Sequence, residues 1–171
     1  MTTTVYIQER TIHERIKSLA VELNEKYKEE DVVIIGVLKG SIMFLSDLLK
    51  HLHIKCRLDF ITVSSYEGTE STGNIKLKQD ITTNIENKNV LIIDDIIDTG
   101  LTMEFLVNLL QKRNPKSITT CVLLDKPSRR VNNYKVDYSA FTIPDKFVLG
   151  YGMDYDDYYR NIPSICVVEK E

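Results

Sequence analysis

The apolar positions of this chain change period several times along its length, and each change marks an element. Ile12, Ile16, Leu19, Ala20, Leu23 and Tyr27 recur at helical spacing, and Thr11-x-x-Glu14 just ahead has the form of a capping box, so a helix is predicted there. Val32-Val33-Ile34-Ile35-Gly36-Val37 is a short, continuous, mostly β-branched run, which reads as a strand buried on both faces of a parallel sheet. It ends in Lys39-Gly40-Ser41, after which Ile42, Leu45, Leu48, Leu49 and Leu52 resume helical spacing.

The alternation continues with a strand predicted over Ile54 to Val63. Ser64 to Asn74 is polar with neither period and reads as a mobile loop. Val90-Leu91-Ile92-Ile93 is another buried strand; Met103, Leu106, Val107 and Leu110 form the inner face of the next helix, stopped at Asn114-Pro115; and Ile118 to Leu124 is a further strand. Strands alternating with helices predict an α/β fold, an open and mostly parallel twisted sheet flanked by helices, with ligands bound at the carboxyl ends of the strands. No repeat, low-complexity tract or linker divides residues 1–171, so one domain is expected. Phe141 to Arg160, dense in aromatic and acidic residues, is expected to form a small hood lobe over the strand ends, with the N-terminus as a second candidate contributor.

Composition narrows the function. A chain of 171 residues is one domain's worth and buries roughly 70% of its unfolded surface without disulfide or metal. Its 22 basic and 25 acidic residues give a net charge of −3 with no basic stripe, which argues against a nucleic-acid partner. No apolar run approaches the roughly 18 residues of a membrane span, and Met1-Thr2-Thr3-Thr4 lacks a signal-peptide pattern, so a cytoplasmic protein is expected. Cys56, Cys121 and Cys166 are an odd number without CxxC spacing, and read as small buried apolar residues in a reducing compartment. His13, His51 and His53 fall outside every motif and read as structural or surface residues.

The chemistry concentrates in Val90 to Thr102. A buried strand runs into the carboxylate pair Asp94-Asp95, and a turn of Asp98, Thr99, Gly100 and Thr102 opens a helix. Such a turn offers free backbone N–H groups and hydroxyls at the positive end of the helix dipole, which suits a phosphate monoester. The paired acids are placed to bind ribose hydroxyls or a hard cation such as Mg²⁺.

This string resembles the phosphoribosyl-pyrophosphate (PRPP) motif of the type I phosphoribosyltransferases, and from about Val32 to Val168 the chain resembles their 6-oxopurine branch. The resemblance implies that Asp94 and Asp95 hold the ribose hydroxyls and Mg²⁺, that Thr99, Gly100, Leu101 and Thr102 hold the 5′-phosphate, and that Asp98 takes the proton from the purine imidazole. Where the family often has Glu first in the doublet, this chain has the shorter Asp94. Leu38-Lys39-Gly40 is similar to the family's pyrophosphate loop, in which the bond before the lysine tends to be strained or cis. Ser65-Tyr66 matches the lid that excludes water from an oxocarbenium-like centre.

By the same resemblance Lys126 donates to the purine 6-oxo group, where a 6-amino group would set donor against donor. Phe147 stacks on the base, the backbone of Val148 meets its Watson–Crick edge, and Lys146 lies near the 6-oxo group. Asp154 contacts a second Mg²⁺ and Arg160 the pyrophosphate. Arg129 and Arg130 read as a solvated turn and receive no role. The implied ligands are PRPP, hypoxanthine, guanine, IMP or GMP, and pyrophosphate, and the family associates as dimers or tetramers. A non-catalytic nucleotide sensor on the same fold, or transfer to xanthine, adenine or orotate, are the alternatives. The sensor has no use for a proton acceptor at Asp98 and finds no spare length for a DNA-binding module.

Overall fold

The computed structural model describes residues 2–65 and 75–169. The elements in chain order are β1 (Thr2–Ile7), α1 (Glu9–Lys26), β2 (Asp31–Leu38), α2 (Ile42–Leu49), β3 (Lys55–Ser65), β4 (Ile75–Gln79), β5 (Asn89–Ile97), α3 (Leu101–Gln111), β6 (Ser117–Asp125), β7 (Tyr138–Thr142), β8 (Val148–Leu149) and β9 (Ile165–Glu169), with one 3₁₀ turn at Pro127–Arg129.

Six strands form a sheet in the order β4-β3-β2-β5-β6-β7, parallel throughout except for the β3/β4 hairpin at one edge. Alternate residues of the central strands feed two different cores, because successive side chains of a strand point to opposite faces. Val32, Ile34, Leu91, Ile93, Cys121 and Leu123 pack with α1 and α2, whereas Val33, Ile35, Val90, Ile92 and Val122 pack with α3. The continuous apolar runs are therefore strands buried on both sides. A second sheet, β1-β9-β8, joins the two ends of the chain antiparallel. Among the described residues no helix is long and apolar enough to cross a membrane.

Several expectations change. The first helix begins at Glu9 behind Gln8, without a side-chain cap, so Thr11 lies inside it and Glu14 pairs with Arg10 at 3.0 Å instead of completing a capping box. Ile42 is exposed, α2 stops before Leu52, and Phe44, absent from the expected stripe, is as fully buried as Leu48 within it. Cys56 is exposed, because β4 pairs with β3 only from Thr62 onward and leaves the earlier part of that strand at the sheet edge. Ser64 and Ser65 are the last residues of β3, not loop. Phe141 belongs to β7 of the main sheet, so the C-terminal departure from it begins after Thr142. β5 continues through Asp94 and Asp95 to Ile97, which places the acid pair on the strand itself.

Candidate active site

The carboxyl ends of β2, β5 and β6 lie side by side under the segment that follows β7, and three adjoining cavities open there. The smallest, about 80 Å³, is walled by Asp94, Asp98, Thr99, Gly100 and Thr102. Gly100 caps α3 at φ 87°, a left-handed conformation that glycine adopts without penalty, and the Leu101 N–H donates to Thr99 Oγ1 at 3.4 Å. Glycine is required there for a second reason: a Cβ would press into Arg130 and Asn132 beneath the turn. The helix N-terminus and the two hydroxyls make this recess an anion cradle.

The second cavity, about 360 Å³, contains Gly40, Asp94, Asp95, Thr102, Asp154 and Arg160. The Leu38–Lys39 peptide bond is cis, as the resemblance implies. A Cβ at Gly40 would overlap the Asp95 carboxylate, and one at Gly152 would overlap the Gly40 carbonyl oxygen, so two backbones and a carboxylate converge here only because two residues lack side chains. Asp94 is buried; burial and the neighbouring Asp95 charge push its carboxyl well above the ordinary range. Burial also raises Asp95, opposed by the hydrogen bond to Asp94 and the charge of Arg160. Neither forms an ion pair among the described residues, and a divalent cation fits two adjoining carboxylates whose charge is otherwise unsupported.

Asp154, expected at a second Mg²⁺, lines the same cavity. Asp154 forms an ion pair with Arg160 Nη2 at 3.0 Å and accepts from the Asp157 N–H at 2.8 Å, and the described residues contain no group of three metal-ligating side chains. Arg160 Nη1 donates to the Gly152 carbonyl at 2.8 Å. Lys39 does not line the cavity; its ammonium reaches Asp157 at 3.1 Å.

The third cavity, about 670 Å³, has Asp98, Lys126, Phe147 and Tyr155 on its walls together with Lys146 and Arg129. Asp98 thus borders both this cavity and the anion cradle. Lys126 is only 6% exposed as a residue, and its ammonium, which no described residue accepts from, is not itself buried but faces this cavity. Phe147 is half exposed, edge-on to Tyr155 with ring centroids 5.6 Å apart. Val148 is buried in β8, and the neighbouring Phe147 carbonyl accepts from the Val168 N–H. The Lys146 ammonium sits 5.0 Å from the centre of the Tyr6 ring. Of the expected lid pair, Ser65 pairs through its backbone with Ile75, and Tyr66 lies outside the described residues.

A match to the phosphoribosyl transferase domain model covers residues 6–156. The chain belongs to the phosphoribosyltransferase family. It is 45% identical to the hypoxanthine-guanine phosphoribosyltransferase of Bacillus subtilis, over 96% of this chain and 92% of that one. It is 44% identical to the hypoxanthine-guanine-xanthine phosphoribosyltransferase of Tritrichomonas foetus, over 93% and 87% respectively. A crystal structure of a hypoxanthine-guanine phosphoribosyltransferase from Bacillus anthracis superposes with a TM-score of 0.93 at 43% identity, covering 97% of this chain and 98% of that one. The fold is therefore the type I phosphoribosyltransferase fold, in its hypoxanthine-guanine branch, and phosphoribosyltransferases of this kind require a divalent metal.

Four residues that the sequence reading passed over sit in the phosphoribosyltransferase site. Arg129 Nε donates to Asp98 Oδ1 at 3.1 Å, and this contact raises the Arg129 pKa. Arg130 donates through Nη1 to the Asp98 carbonyl at 2.9 Å and through Nη2 to Asp125, and the Val131 N–H bonds the Thr99 carbonyl at 3.1 Å. What reads as a solvated turn is the support of the anion cradle. Tyr155 and Asp157 are the others. The one available signal was position: Arg129 and Arg130 follow a strand-end lysine by three and four residues, where an α/β fold puts its ligands.

Proposed function

We propose that this chain transfers the 5-phosphoribosyl group of PRPP to N9 of hypoxanthine or guanine, giving IMP or GMP and pyrophosphate, as a step of purine salvage. The observation that carries the choice of base is Lys126. The stem of Lys126 is buried while its ammonium, which no described residue accepts from, opens to the cavity, and a purine 6-oxo group entering beside Phe147 supplies an acceptor there. A 6-amino group would leave it unpaired, which disfavours adenine.

In this reading the base stacks on Phe147 beside Tyr155 and meets the backbone of Val148 with its Watson–Crick edge, with Lys146 turning from Tyr6 toward the 6-oxo group. The 5′-phosphate lies in the cradle of Thr99, Gly100, Leu101 and Thr102. Asp98, on the boundary of the two cavities, is the catalytic residue. As N9 forms its bond to the anomeric carbon and the bond to pyrophosphate breaks, the imidazole proton passes to the Asp98 carboxylate, which also stabilises the positive charge developing on the sugar. Arg129 orients that carboxylate.

Lys39, the Gly40 backbone and Arg160 receive the pyrophosphate. Asp94 and Asp95 hold the ribose hydroxyls and Mg²⁺, and Asp154 contacts a second Mg²⁺. When bound, Mg²⁺ neutralises phosphate charge on the leaving group. Ser65 and Tyr66 are assigned to a lid that excludes water. We read residues 1–171 as one domain, with the β1-β9-β8 sheet and the segment after Thr142 as the hood, acting in the cytoplasm as a dimer or tetramer.

Pyrophosphate release from purified protein with PRPP and Mg²⁺, in competition among hypoxanthine, guanine, xanthine and adenine, tests this. Turnover with hypoxanthine and guanine, lost on Lys126→Met through the KM of the base, is expected. Equal use of adenine, or no turnover with any base, overturns it.

A further inference from the structure

Lys39 and Arg160 approach from different parts of the chain, the first from the turn after β2 and the second from the hood segment, and in the structure they meet on one carboxylate. Asp157 accepts from Lys39 Nζ at 3.1 Å through Oδ1 and 3.3 Å through Oδ2, and from Arg160 Nη2 at 3.1 Å through Oδ1. Two cations converging on the oxygens of one anion is the pattern a phosphate group would also satisfy. Asp157 is held out toward them by a backbone at φ 65° and by its N–H bond to Asp154.

We propose that Asp157 is a built-in competitor of the pyrophosphate group: it occupies the same two cations, so pyrophosphate must displace it to bind and is displaced by it on leaving. The inference rests on the proposed assignment of Lys39 and Arg160 to pyrophosphate. The side chains of Asp157 and Lys39 are both about two-thirds exposed, and Arg160, which is only a quarter exposed, has a second carboxylate partner in Asp154. Arg160 keeps its place without it through the Gly152 carbonyl and Asp154. As a competitor Asp157 lowers affinity for the leaving group on both sides of the reaction and hastens its release.

The test is titration of the full chain with pyrophosphate and Mg²⁺ by calorimetry. Asp157→Asn is expected to bind pyrophosphate about two- to tenfold tighter, the range set by two exposed ion pairs, with unchanged thermal stability. Asp156→Asn removes the same charge from the next residue, which bonds neither cation among the described residues, and is expected to change affinity less than twofold. Unchanged or weaker binding in Asp157→Asn overturns the proposal, as does an equal gain in Asp156→Asn, which would make the effect one of net charge. Lys39→Ala and Arg160→Gln separate the two levels. If both weaken binding while Asp157→Asn leaves it unchanged, competition alone fails. If neither weakens it, the pyrophosphate assignment fails and the competition with it.

Discussion

The two ends of the proposed transfer are built on opposite principles. On the phosphate side the turn from Asp98 to Thr102 is fixed from beneath: Arg130 and the Val131 N–H take the carbonyls of Asp98 and Thr99, and Arg130 is itself locked to the largely buried Asp125 side chain. On the leaving-group side Lys39 and Asp157 are both about two-thirds exposed and paired through solvent-accessible contacts. The first arrangement resists exchange because breaking it strands buried polar groups, whereas the second costs little to break. A group that stays attached through the reaction calls for the first. A group that must depart calls for the second.

The largest expected effect comes from the residue between these regions. Asp98→Asn keeps the shape of the carboxylate and removes its basicity, so turnover is expected to fall about 10²- to 10⁴-fold with PRPP affinity retained. Steady-state kinetics beside a PRPP titration measure both. A loss below tenfold would move the proton acceptor elsewhere. Stability tests the contrast directly. Arg130→Ala leaves Asp125 and the Asp98 carbonyl without their partner at a site where both ionic side chains are largely buried, and is expected to cost about 3–5 kcal/mol in urea unfolding. Lys39→Ala is expected to cost less than about 1 kcal/mol in the same assay. Similar costs for both would erase the distinction.

The same physics explains what could be read from the residues. β2, β5 and β6 were legible because strands buried on both faces carry unbroken apolar runs, and the acid pair, the Thr-Gly-x-Thr turn and Lys126 were legible because they stand where those runs end. β1 and β4 were missed for the complementary reason. Thr2 to Val5 is exposed, and in β4 Ile75 and Leu77 alternate with lysines over only five residues. The acid pair was expected beyond the strand because the apolar run stops at Ile93, although β5 continues to Ile97. Arg129 and Arg130 carried no signal of their own, since their meaning lies in meeting Asp98 from 31 and 32 residues away. Asp157 was hidden among neighbouring acids for the same reason. Local patterns reveal elements and their ends, while contacts across the sheet have to be seen.

An effect smaller than that of Arg130→Ala concerns how the hood segment is fastened, and it sharpens the contrast because its root, unlike its exposed rim, is buried. Tyr151 is fully buried, and its hydroxyl donates to Asp47 on α2, which also accepts from Lys50 and contacts His13 of α1. Burial alone would raise the Asp47 carboxyl, but the hydrogen bonds from Lys50 and Tyr151 and the charges of Lys50 and His13 outweigh it and hold the pKa below the ordinary 3.8. A carboxylate depressed in the folded state stabilises the fold above its unfolded pKa, and that stabilisation disappears as pH falls through the folded value. Asp47→Asn is therefore expected to cost about 1–3 kcal/mol at neutral pH, with the gap to the parent protein constant down to the ordinary carboxylate range and closing below pH 3.8. Urea unfolding of both proteins across that range measures it. A gap that persists unchanged into acid would mean that the charge of Asp47 is irrelevant and that only the shape of the side chain holds the hood to α2.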